Sequence, residues 1–68
     1  MTLADMQAGE WGVILAVPPS ASHLRLSAGE RVIVVCVNNG SVLIDVGGVH
    51  VALSLALAQK MILASYYK

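Results

Sequence analysis

Sixty-eight residues, 57% of them hydrophobic and only 12% charged, carry four basic and four acidic side chains and a formal net charge of zero. That length fits one domain and lies below the size at which one hydrophobic core is comfortably sufficient, which leaves no room for elaborate machinery. Four scattered cations cannot make a stripe that tracks phosphates, and the longest apolar run, residues 32–37, is far short of the roughly 18 residues a membrane-spanning helix needs, so neither nucleic-acid binding nor direct membrane insertion is expected.

The amino terminus has no basic start and places Asp5 and Glu10 where a signal peptide needs an apolar core, so a cytoplasmic location is expected. Gln7-Ala8-Gly9-Glu10 is turn-like. Residues 11–17 are apolar and rich in β-branched side chains until Pro18-Pro19 stops them, which predicts a first strand. Residues 18–27, with two prolines and three serines, read as a loop holding one helical turn, in which His23 is a solvated side chain. Ala28-Gly29-Glu30 turns the chain into a second strand over residues 31–37.

Asn39-Gly40 is a two-residue hairpin signal, followed by a strand over residues 42–46. Gly47-Gly48 predicts a type I′ turn, because both central positions need positive φ, and residues 49–53 form the returning strand. Ser54 is placed to cap a short helix over residues 55–60. Residues 61–64 make a last strand, and 65–68 a tail. Five short strands joined by tight turns, with one helical insert, imply a small β-barrel or two packed sheets.

A two-residue turn at Gly47-Gly48 fixes the pairing: Val46 faces Val49, Asp45 faces His50 and Ile44 faces Val51. One face then carries Val42, Ile44, Val46, Val49, Val51 and Leu53, a wholly apolar set that belongs to the core. Extending the same parity across Asn39-Gly40 places Ile33 and Val35 in the core, and Val32, Val34 and Cys36 on the outer face.

Asp45 and His50 are the candidate metal-binding pair, about 5 Å apart at Cβ as cross-strand neighbours. Two donors hold an ion weakly, so Fe2+ or Zn2+ there needs donors from elsewhere, and no resident cofactor is expected. Cys36 faces Leu43 instead, roughly 10 Å from His50 by strand spacing, and reads as a small apolar side chain. Being alone, it forms no internal disulfide, and no CxxC spacing offers a zinc ribbon. Serine chemistry lacks a GxSxG frame, and Gly47-Gly48 lacks the lysine and helix of a phosphate loop, so no enzyme is expected.

The order of elements resembles the FeoA family along nearly the whole chain. Leu3-Ala4-Asp5-Met6 with Gly9 and Gly12-Val13-Ile14 is similar to that family's opening. Leu24, Leu26, Gly29, Val32 and Val34 look like its leucine-rich helix, its turn glycine and its second strand. Val42-Leu43-Ile44, the strand 49–53, Ala58 and Ile62-Leu63 look like its hairpin and closing segment. The resemblance implies a mainly β fold, a small SH3-like five-stranded barrel with one or two short helices, as a single domain over residues 1–68. It also implies a non-catalytic accessory role in bacterial ferrous iron transport, through contact with the FeoB GTPase permease. Two other readings stand beside it: a transition-metal-binding or metal-sensing protein using Asp45 and His50, and a homo-oligomer that associates through strand 31–37 or the segment 55–57.

Overall fold

The structure, a computed structural model, describes residues 1–65, so most of the expected tail lies outside the described residues. Five strands follow in chain order: β1 (Trp11–Ala16), β2 (Arg31–Asn38), β3 (Ser41–Val46), β4 (Val49–Ser54) and β5 (Ile62–Ser65). A single helical turn, α1 (Leu55–Ala58), joins the last two, and 3₁₀ segments occupy Leu3–Asp5 and Pro19–Leu24. All pairings are antiparallel, in the spatial order β4-β3-β2-β1-β5. The first residues add to the outer side of β5: the Leu63 amide donates to the Met1 carbonyl at 2.8 Å, and the Leu3 amide to the Met61 carbonyl at 3.0 Å.

Residues from both ends of this sheet share one core, with Leu53 of β4, Ile14 of β1 and Leu63 of β5 in the same buried cluster. A flat sheet could not bring them together, so the strands curl round a common interior, as in an SH3-like fold. Leu3, Met6, Ala58 and Met61 complete the cluster from the 3₁₀ turn and from α1. α1 is shorter than the expected 55–60, and Ser54 caps it as its sequence position implies: its Oγ accepts from the Leu57 amide at 3.2 Å.

The β3–β4 hairpin has the predicted register throughout, from Val46 opposite Val49 to Ser41 opposite Ser54. Gly47 (φ 60°) and Gly48 (φ 87°) both take positive φ, as a type I′ turn requires. At the other hairpin Gly40 alone does so, at 90°, and Asn39 keeps an ordinary backbone. Both loops nonetheless contain two residues, with Asn38 opposite Ser41.

β2 departs from the expectation. Pairing runs regularly from Asn38 to Cys36, which faces Leu43, but the next pair is Val34 with Ile44, so Val35 is an extra residue without a partner. Such a bulge reverses side-chain parity beyond it. Val32 and Val34 are therefore fully buried, while Ile33 and Val35, expected in the core, are 43% and 41% exposed. Val49, also assigned to the core face, is 63% exposed because it sits at the hairpin tip, where the interior ends; Val46 and Val51 are only partly buried.

Gly12 is required for a different reason from the turn glycines. A Cβ there would lie 2.5 Å from the Ala64 carbonyl oxygen, so the close approach of β1 to β5 depends on its absence.

Candidate functional site

The bulge at Val35 decides what the outer face of the sheet presents. Ile33 pairs with Trp11 on one side and Asp45 on the other, and Asp45 pairs with His50, so the register lays Trp11, Ile33, Asp45 and His50 in one row across four strands. Arg31 lies over the Trp11 ring, 5.0 Å from its centroid, a cation–π contact that no sequence spacing announced. Ile33, Val35, Leu15 and Ile62 leave much of their surface exposed. This outer surface is more apolar than the alternation of an ordinary half-solvated sheet predicts.

Asp45 and His50 are brought together as expected, with His50 Nε2 and Asp45 Oδ2 3.4 Å apart. The His50 side chain is 58% exposed and that of Asp45 31%, so solvent screens the contact and it contributes little to stability. The second oxygen of Asp45 is engaged: Oδ1 accepts from the Gly48 amide at 2.9 Å and ties the carboxylate to the turn. Cys36 lies on the far arm of the β2–β3 hairpin, its thiol donating to Asn38 Oδ1 at 3.6 Å. Among the described residues no group of three or more His, Cys, Asp or Glu side chains converges. A single chain thus offers two donors, short of the four of a closed zinc site, and an ion at this pair needs donors from a second molecule.

A second feature lies at the carboxyl-terminal end of β4. The 3₁₀ segment Pro19–Leu24, α1 and β4 enclose an open groove of about 460 Å³. Its apolar lining comes from Leu24, Leu53 and Leu57, with His23 and Lys60 contributing the basic groups. The sequence placed His23 in solvent, and it is exposed, but the 3₁₀ segment aligns it with the groove. In the sequence Lys60 is one of four scattered cations, at the end of the expected helix 55–60, and only the path of the chain after α1 carries it to the groove. Among the described residues, no helix is long and apolar enough to cross a membrane.

The fold is that of FeoA. A crystal structure of the iron uptake regulatory protein FeoA matches with a TM-score of 0.84, covering 97% of this chain and 96% of that one at 22% sequence identity. No protein-family model and no curated protein matches the sequence. At this identity the likeness is one of architecture, and function has to be argued from surfaces and sites.

Proposed function

We propose that this FeoA-like chain is a non-catalytic accessory protein of bacterial ferrous iron transport, acting in the cytoplasm through contact with a FeoB-like GTPase permease. The observation that carries the reading is the likeness, over nearly the full length of both chains, to a protein described as regulating iron uptake. The surface is consistent with a contact role: exposed Leu15, Ile33, Val35 and Ile62 form the kind of apolar outer face that a partner covers. The test is ferrous iron uptake in cells lacking the chain, with permease abundance held constant. Uptake changes and is restored by the intact gene if the proposal holds; unchanged uptake contradicts it.

The approach of His50 to Asp45, 3.4 Å, favours a second reading, in which Fe2+ or Zn2+ binds these two side chains and is completed by donors from another molecule. Zinc titration followed by NMR of the His50 ring separates the two. Saturable shifts of the ring signals support the metal reading, and no shift at millimolar zinc rejects it.

A further inference from the structure

The two edges of the sheet are treated differently. Beside β5, the chain's own first residues supply hydrogen-bond partners through Met1 and Leu3. Beside β4 no strand follows among the described residues. Edge strands are ordinarily blunted by lysine, proline, a bulge or a covering segment, yet β4 reads Val-His-Val-Ala-Leu-Ser and pairs with β3 without a break.

The register settles which groups point outward. Val46 and Val49 close a two-residue hairpin and exchange both backbone hydrogen bonds, and bonded pairs then alternate along the ladder to Ile44 with Val51 and Val42 with Leu53. The Leu55 amide, which donates to the Gly40 carbonyl at 2.9 Å, continues that alternation. The amides and carbonyls of His50 and Ala52, and the amide of Ser54, therefore face away from β3, while the Ser54 carbonyl turns into α1 as its N-cap acceptor; all three residues are exposed. The groove lies beside Ala52 and Ser54, with an apolar floor and, among its lining residues, Lys60 and His23 but no carboxylate.

An open strand edge beside a groove, with a 3₁₀ segment as the opposite wall, is the geometry that accepts an added strand. The partner's backbone supplies affinity and its alternate side chains supply specificity. We propose that this groove binds an extended peptide segment of a partner protein. The segment pairs with His50, Ala52 and the Ser54 amide, lays an apolar side chain on the half-buried Leu24 and Leu57, and sets a carboxylate against Lys60 and His23. The charge complementarity of a lining with basic groups and no acid selects an acidic segment over a basic one. The proposal rests on the reading that the chain acts by protein contact, and it assigns that contact a place and a chemistry.

The probe is a capped five-residue peptide of alternating valine and threonine ending in aspartate, titrated into the full chain and followed by amide NMR. The proposal expects shifts and slowed hydrogen exchange at His50, Ala52 and Ser54, with binding about fivefold weaker for Lys60→Glu and the same preference reversed for a lysine-ended peptide. Ala52→Pro removes an outward donor but no bond to β3, and it abolishes binding. Lys60→Glu changes an exposed side chain, so the test does not depend on the proline variant folding. Absence of shifts at millimolar peptide, or shifts confined to other strands, overturns the proposal. So does protection of these three amides before peptide is added in a chain that sediments as a dimer, because the edge is then filled by a second copy. If the cytoplasmic domain of the permease binds Lys60→Glu and wild type equally, the groove assignment falls and the partner reading stands. If the peptide binds and the permease domain does not, the groove stands and the partner reading falls.

Discussion

Gly12 shows how one missing atom holds two strands together. Its neighbour across the ladder is the Ala64 carbonyl oxygen, which a Cβ would approach to 2.5 Å, and a backbone oxygen in a sheet cannot swing aside. Gly12→Ala is expected to destabilise the fold by about 2–4 kcal/mol in urea unfolding, well beyond an ordinary surface change. Asp45 acts in the opposite sense, by adding a bond. Losing its acceptor to the Gly48 amide should make Asp45→Ala cost about 1 kcal/mol, whereas His50→Ala, which loses only a screened contact, should cost less than about 0.5 kcal/mol in the same assay. Asp5 supplies a pH dependence. Its carboxylate accepts from the Thr2 amide and hydroxyl, each at 3.1 Å, and these bonds, that of the amide first, hold its pKa below the usual carboxylate value. A depressed folded-state pKa contributes stability above the unfolded pKa of about 4, and that contribution is lost as pH falls through the lower folded value. Asp5→Asn should therefore flatten the acid limb of the stability profile below about pH 4 while leaving the neutral region parallel to wild type, as measured by thermal unfolding across pH.

At the scale of elements, the β3–β4 hairpin was legible because two kinds of information agreed. Gly47-Gly48 demanded a tight turn, and the apolar positions on either side matched its parity, so the Asp45–His50 pairing followed without a structure. β2 was not legible beyond Cys36. The sequence Val32-Ile33-Val34-Val35 is apolar at every position and contains no glycine to mark a bulge, so either parity looked acceptable. The sheet's need to curl decided between them, and that is a tertiary requirement. A paired comparison checks the outcome: Val34→Ala, in the sealed core, should cost about 2–3 kcal/mol, and Val35→Ala, on the bulge, less than about 1 kcal/mol by chemical denaturation. Equal costs would mean that the bulge does not exist in solution. The groove was hidden for a related reason, because His23, Leu53 and Lys60 are brought together only when the Pro19–Leu24 segment and α1 meet beside β4.

As a whole molecule, the chain has too few charges to coat itself, with an interior sealed by Leu3, Ile14, Ile44, Met61 and Leu63 and further apolar side chains left over on its outer face. Composition alone anticipated that surplus, and the bulge determined where it is displayed. Element order carried the resemblance that the solved FeoA structure supports at the level of fold, although no single motif in the sequence is distinctive. Calorimetric titration of the folded chain into the purified cytoplasmic domain of a FeoB-like permease measures the proposed contact itself. Saturable one-to-one binding with a negative heat-capacity change from apolar burial is expected. A chain that remains folded throughout and gives no binding heat at any temperature, with no retention on the immobilised domain, rules the contact out.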